Sequence, residues 1–403
     1  MSRVLIVGNG VAGVTAARFL ADGKPSHEIV IYGQEPYAYY PRPRLIDYIE
    51  GTLPEHKMTL YSDDWYAQRG IRCELGRRVE RIDAAGHTIH LTDGGSDRYD
   101  RLVLATGADS WVPPIPGREL GCVHTLRTWD DARAIADCAR GCRQVVVIGG
   151  GLLGLDTAAA LACCGPRVAV VEALPWLLPR QLDREGASLL SGLLAAKGIE
   201  TIVDQQCDRL EGDMAIERVV LKSGQVLPAQ MVVVSTGVRS NTQLACDAGL
   251  LVERGVVVDS AMCSSDPDIY AVGDVAQFDG RVWAIIPVAI AQARVAAAQI
   301  NGDRDTRYEP QVPSTTLKVS GIDLTSLGEV HPEGEELTLR KVDPDQGVYK
   351  KLVIDGGRIV GAIVLGDRKM AREVSQLIAA GVDVSAHSEH LLDEGYAFKS
   401  LLG

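Results

Sequence analysis

With 403 residues, the chain is long enough for two or three domains. Hydrophobic residues make up 46% and charged residues 23%, an ordinary globular balance, and no apolar run is long enough to span a bilayer. A formal charge of −12 argues against nucleic-acid or anionic-membrane binding, since both need a basic face. The first element is Val4–Leu20 (VLIVGNGVAGVTAARFL), an apolar strand, then G-x-G-x-x-G, then a small-residue helix. Gly8 permits a tight turn, Gly10 lets the backbone approach a pyrophosphate, and Gly13 lets the helix pack on the strand. The helix N-terminus adds unpaired N–H groups and about half a positive charge. The next strand, in EIVIYGQE (Glu28–Glu35), delivers Glu35 22 positions after Gly13, where an adenosine ribose is expected. A strand beginning at Val4 leaves no room for a secretory or transit peptide, so a cytoplasmic location is expected.

Further along, Tyr99–Asp109 is an apolar strand running into Ala105-Thr106-Gly107. VPPIPG (Val112–Gly117) cannot continue a helix or a central strand and is expected to connect two domains. A second fingerprint follows at Val145–Leu161, with Gly149, Gly151 and Gly154 in the same three roles. RVAVVE (Arg167–Glu172) supplies Glu172, 18 positions after Gly154, and Met231–Asn241 is another strand ending in Thr-Gly, at Gly237. One glycine pattern is weak; two complete units predict a protein that holds two dinucleotides at once. In IYAVGD, Asp274 lies just beyond a short strand and before the predicted helix Val288–Ile300. A lone Gly-Asp is usually a helix cap, but in an open sheet this is also where an acid meets a ligand polyol. The last hundred residues change character: TTLKV, LTSLGEV, LTLRKV and YKKLVI are predicted strands. Asp355-Gly356-Gly357 then turns into RIVGAIVLG, and a helix is expected near Ala371–Ala380. This small α+β domain carries no catalytic motif.

Nine cysteines stand at irregular spacing and none forms C-x-x-C. Cys138 and Cys142 lie four apart in a predicted helix, Cys163 and Cys164 are adjacent, and most read as reduced packing residues. His387 and His390 lack metal-ligand spacing, so no metal site is predicted.

These motifs, in this order, make the chain resemble the FAD-dependent pyridine nucleotide oxidoreductases of the glutathione-reductase fold along essentially its whole length. The resemblance implies an α/β protein with two Rossmann-like domains, the NAD domain inserted in the FAD domain, and a C-terminal α+β interface domain. The implied boundaries are 1–112 with 238–306 for FAD, 113–237 for NAD, and 307–403 for the last domain. Within the superfamily, YYPRPRLIDYIEG (Tyr39–Gly51) is diagnostic: disulfide reductases keep a redox cysteine in or near this region, yet no cysteine stands between Met1 and Arg72. The Y-x-R-P-R-L loop, DWY at Asp64–Tyr66 and LLPRQLD at Leu177–Asp183 resemble NADH:rubredoxin oxidoreductases and ferredoxin reductases. TLKVSGID is similar to the flavin domain of NADH-dependent nitrite reductases.

Carried over residue by residue, the resemblance implies FAD contacts at Gly8, Gly10, Val11, Ala12, Gly13, Glu35, Arg42, Pro43, Val79, Ala105, Thr106 and Gly107. It adds Arg127, Gly273, Asp274 (ribityl chain) and Ile286 (backbone, near the flavin ring). For NADH it implies Gly149, Gly151, Leu152, Leu153, Gly154, Glu172 and Gly237. Lys318 is either a lysine that reaches the flavin or a solvated strand lysine. Ferredoxin reductases often place a lysine and a glutamate where this chain has Asp47 and Asp156, so that ion pair is absent, and Arg44 is a candidate for the missing positive charge.

The implied activity is hydride transfer from NADH to FAD, followed by electron release to a small carrier such as rubredoxin or ferredoxin, from a monomer or homodimer. Glu172 implies a preference for NADH, because a carboxylate about 4 Å from a 2′-phosphate costs on the order of 4 kcal/mol at an effective dielectric near 20. Rubredoxins are acidic, and Arg42, Arg44, Lys57 and Arg69 are either a docking face or solubilising and FAD-contacting charges. Two alternatives stand beside this: an electron-transfer subunit of a nitrite reductase-like complex, and an NADH oxidase or CoA-disulfide reductase that would have to use Cys73.

Overall fold

The computed structural model describes residues 2–23, 26–310, 314–317, 319, 321–332, 334–393 and 395–401. The chain forms two compact units. The first comprises Met1–Tyr48, Leu53–Ser110 and Val238–Gln311; the second comprises Ile49–Thr52, Trp111–Gly237 and Val312–Gly403.

In the first unit, five parallel strands run in the order Ile269–Ala271, Arg101–Leu104, Arg3–Val7, Glu28–Gly33, Ile71–Leu75. Val4, Leu5, Ile6, Val30, Ile31, Leu102 and Val103 are all fully buried, as expected of a parallel sheet covered on both faces. The helices Val11–Asp22 and Ile286–Ile300 pack against each other. From the central strand Arg3–Val7 the chain proceeds outward to one side and later returns to the other. The switch point therefore lies between Arg3–Val7 and Arg101–Leu104, where a crevice opens beyond the strands' carboxyl ends.

The second unit repeats the plan. Its parallel sheet runs Ile199–Ile202, Arg167–Val171, Gln144–Ile148, Met231–Val234, Val123–His124, with the switch point between Gln144–Ile148 and Met231–Val234. The same unit contains an antiparallel sheet in the order Ser314–Leu317, Leu324–Gly328, Arg358–Leu365, Val348–Asp355, Leu337–Asp343. Gly356 and Gly357 both take positive φ, +51° and +75°, which suits the tight hairpin expected at that site. The last long helix, Arg368–Ala380, begins earlier than the hydrophobic pattern indicates. The Asp367 side chain accepts the Met370 N–H at 2.9 Å and so starts the helix upstream of its apolar stripe. The helix expected at Val288–Ile300 likewise starts at Ile286, with a proline in its first turn, where no N–H is needed.

Candidate dinucleotide sites

The two fingerprints fold almost identically. Gly8 and Gly149 each take φ +116° and donate their N–H across the sheet at 2.8 Å, to Tyr32 and Val171. A Cβ on Gly8 would lie 2.1 Å from the Ala105 carbonyl oxygen, and one on Gly149 2.1 Å from that of Ser235. A Cβ on Gly13 would lie 1.9 Å from the Gly8 carbonyl oxygen, and one on Gly154 2.0 Å from that of Gly149. These four glycines are demanded by the protein's own backbone. Gly10 and Gly151 are different, because a Cβ there meets nothing within 4 Å. What they keep clear is the space ahead of a helix.

Those helices, Val11–Asp22 and Leu152–Cys163, start without a side-chain cap among the described residues and carry no acid in the first turn. Their leading N–H groups and positive dipole ends thus face the crevice uncompensated, which is the chemistry of a phosphate site. Val11, Ala12, Leu152 and Leu153 occupy the first two positions of the two helices.

Around the first loop, the structure gathers the expected residues of its unit. Ala105-Thr106-Gly107 flanks Gly8 and is fixed by Asn241. The Thr106 hydroxyl donates to the Asn241 carbonyl at 2.9 Å, and the Asn241 amide donates to the Thr106 carbonyl at 3.1 Å. Gly273 has φ +78°, donates its N–H to the buried Gln292 side chain at 2.8 Å, and has room for no larger residue. A Cβ there would lie 2.9 Å from that of Ala12. Asp274 is therefore held beside the start of the fingerprint helix, in a 3-10 turn rather than at a helix cap, and its carbonyl accepts the Ser240 hydroxyl at 2.6 Å. Glu35 accepts hydrogen bonds from the Tyr40 hydroxyl and, at 3.5 Å, from Arg42. Val79 begins the strand Val79–Asp83, and Ile286 is the first residue of its helix.

Arg42 and Pro43 form the turn ahead of the helix Arg44–Glu50. Their loop rests on an aromatic group in which Tyr61 stacks on Trp65 at 3.9 Å and the Tyr39 N–H donates to the Tyr66 hydroxyl. Two buried polar atoms near these segments lack partners among the described residues: Arg42 Nη1 and the Asn9 side-chain oxygen. Such atoms carry a desolvation cost unless a ligand meets them. Together with the open space at Gly10, they fit a polyanionic dinucleotide such as FAD.

In the second unit, Glu172 is more deeply engaged than its position suggests. It is 9% exposed, and its two oxygens accept the N–H groups of Gly150 at 2.6 Å and Leu174 at 2.8 Å. It clamps the fingerprint loop as well as facing it. Gly237 takes φ +106°, with its carbonyl accepting the Trp111 N–H. Arg127 lies in this unit too, directly before Thr128, whose capping box with Asp131 starts the helix Trp129–Ala139.

Other expectations change. Arg44 is committed to the fold: its Nη1 donates to the carbonyls of Lys57, Met58 and Thr59 at 2.9–3.0 Å. Arg69 lies 4.4 Å over the Trp65 ring. Asp47 sits in the helix Arg44–Glu50 and Asp156 in Leu152–Cys163. Lys318 lies outside the described residues. Burial pushes the Cys73 thiol up to about 12, so it is not a thiolate at neutral pH. Asn9, Asn241, Ser240 and Gln292 escape sequence reading because isolated polar residues are common, and only the folded chain shows what each one ties. Cys138 is brought together with Cys122 and His124, a grouping that irregular cysteine spacing conceals.

Fold and loops together define an α/β protein with two Rossmann-type units. The chain belongs to the pyridine nucleotide-disulphide oxidoreductase family, whose model matches residues 2–299. The rubredoxin NAD+ reductase C-terminal domain matches 313–382. It is 34% identical over 391 residues to a nitrite reductase [NAD(P)H] of Bacillus subtilis, covering 96% of this chain and 48% of that protein. It is 30% identical to the ferredoxin–NAD(+) reductase component of a biphenyl dioxygenase system from Paraburkholderia xenovorans, covering 99% of this chain and 98% of the relative. The crystal structure of a covalent putidaredoxin reductase–putidaredoxin complex is similar with a TM-score of 0.91 and 27% identity, covering 100% of this chain and 98% of that one. The chain spans about half the length of the first curated relatives it matches. Among the described residues, no helix is long and apolar enough to cross a membrane.

Proposed function

We propose that this chain is an NADH-dependent FAD oxidoreductase that delivers electrons to a small carrier protein of the rubredoxin or ferredoxin kind. The observation that carries this reading is the similarity, over the full chain, to a reductase crystallised with its small redox partner. It is joined by the absence of a thiol in the Tyr39–Gly51 loop. Bound FAD and NADH supply the hydride and electron chemistry.

The chain's own residues bind and orient. The bare helix starts at Val11 and Leu152 take the pyrophosphates, Glu35 and Glu172 hold riboses, Asp274 holds the ribityl hydroxyls, and Arg42 supplies positive charge. Val79, Ala105–Gly107, Arg127, Gly273 and Ile286 complete the FAD side, and Gly237 the NADH side. FAD is assigned to 1–112 and 238–306, NADH to 113–237, and the interface role to 307–403. Nine free cysteines support a reducing, cytoplasmic setting.

Anaerobic reduction by NADH, followed by offering rubredoxin, ferredoxin, a disulfide and oxygen under identical conditions, tests this reading. Fast reoxidation by one of the carriers alone is expected; preference for the disulfide overturns it. Cys73→Ser retains full activity if no cysteine cycles. A second reading, the electron-transfer part of a nitrite reductase-like assembly, is favoured by the roughly doubled length of the first relatives. Co-purification with a larger redox subunit, together with inactivity toward both carriers, would select it.

A further inference from the structure

One cluster in the second unit, outside both fingerprints, has the composition of a metal site. The Cys122 thiol, a ring nitrogen of His124 and the Cys138 thiol all lie within 4.8 Å of one another. Cys122 immediately precedes the edge strand Val123–His124, and His124 lies within it. Cys138 lies in the last turn of the helix Trp129–Ala139, and the Cys142 thiol sits 3.1 Å from the Cys138 carbonyl. The Cys138 thiol is also within hydrogen-bonding reach of the Cys142 side chain, so Cys142, outside the group of three, adjoins one of its members.

Two features set this group apart from packing thiols. His124 Nε2 is buried and has no hydrogen-bond partner among the described residues, an arrangement that carries a desolvation cost unless something meets it. Cys122 takes φ +61°, a left-handed conformation that only glycine adopts freely, and its carbonyl is pinned there by the Val232 N–H at 2.9 Å.

We propose that Cys122, His124, Cys138 and Cys142 form a Cys3His site for a zinc ion, clamping the edge strand to the helix Trp129–Ala139. Thiolates with one imidazole select zinc among common divalent cations, and four protein ligands make the site structural rather than catalytic. A tetrahedral zinc about 2.3 Å from each sulfur spaces the sulfurs about 3.8 Å apart, so adjustments of about 1 Å bring Cys122, His124 and Cys138 to that spacing, and the Cys142 side chain must turn from the Cys138 carbonyl to complete the set. Binding releases three thiol protons to solvent and involves no change of oxidation state.

The full-length chain, purified without chelator from zinc-supplemented cells, is expected to hold one zinc per chain by elemental analysis. After stripping, addition of Co2+ alone should give the intense red-region absorption of tetrahedral thiolate cobalt, beyond flavin absorption. Cys138→Ser and Cys142→Ser each lose the metal and this absorption, whereas Cys246→Ser, exposed in the first unit, keeps both. Zinc added back raises the melting temperature of the stripped wild type but not that of Cys122→Ser. The proposal is overturned if folded wild type, checked by circular dichroism, gives no cobalt spectrum. It is equally overturned if the spectrum survives in Cys138→Ser, or if the chain as purified carries a Cys122–Cys138 disulfide and no zinc.

Discussion

Gly10 and Gly13 stand three residues apart and serve different masters. Gly13 answers to the protein, since any side chain there collides with the Gly8 carbonyl, while Gly10 faces open space and answers to a ligand. Gly13→Ala should therefore cost about 3 kcal/mol in the apo protein by overpacking. Gly10→Ala should change apo stability by less than about 0.5 kcal/mol and yet abolish FAD retention. Denaturant melts of the stripped protein, beside flavin content after purification, check both. Glu172 combines the two kinds of duty. Glu172→Ala removes the acceptors of two loop N–H groups, at about 2 kcal/mol of stability. The same change lifts repulsion from a 2′-phosphate, so the ratio of NADPH to NADH flavin reduction should rise by about tenfold or more. An unchanged ratio would leave Glu172 as a loop clamp only. The acid's place after its strand was legible in the sequence; its grip on the Gly150 N–H was not, because that depends on how two loops meet.

At the scale of elements, the second unit contains a polar knot that no motif announces. Asp183 caps the helix Arg184–Ala195 by accepting the Gly186 N–H. Its carboxylate also accepts the Tyr349 hydroxyl at 2.6 Å and pairs with the nearly buried Lys351 at 3.0 Å, both on the strand Val348–Asp355. Burial by itself would raise the Asp183 pKa, but these three donors outweigh it and hold the carboxyl below the usual range. A depressed folded pKa contributes stability that is fully present above the unfolded value near 4. That stability is lost as pH falls through the folded value. Acid should thus loosen this junction below about pH 4. Asp183→Asn should cost about 3 kcal/mol at neutral pH, by stranding Lys351, and should flatten the acid limb of a stability–pH curve. Equally steep acid limbs in the two proteins would refute the assignment. The sequence offered Asp183 only within LLPRQLD, and its partners Tyr349 and Lys351 lie more than 160 residues away.

At the scale of the whole molecule, charge decides how a partner can be approached. The net charge is −12, and of the four cations considered for a docking face, Arg44 and Arg69 are engaged in internal contacts. These contacts leave both positive charges in place, but against the net charge of −12 long-range attraction for an acidic carrier is weak. Its reduction rate should stay nearly flat with added salt, where a steered encounter loses roughly ten- to thousandfold. A steep decline in stopped-flow rates would restore the basic face.

The sequence by itself determined the two fingerprints, their order and the missing loop thiol, because glycine steric rules and strand periodicity act locally. Only the tertiary structure decided that Glu172 holds the Gly150 N–H, that Arg44 belongs to the fold, and that Cys122, His124 and Cys138 meet. Each of these rests on how separate loops, strands and helices meet in the folded chain, and side-chain spacing along a chain does not encode that.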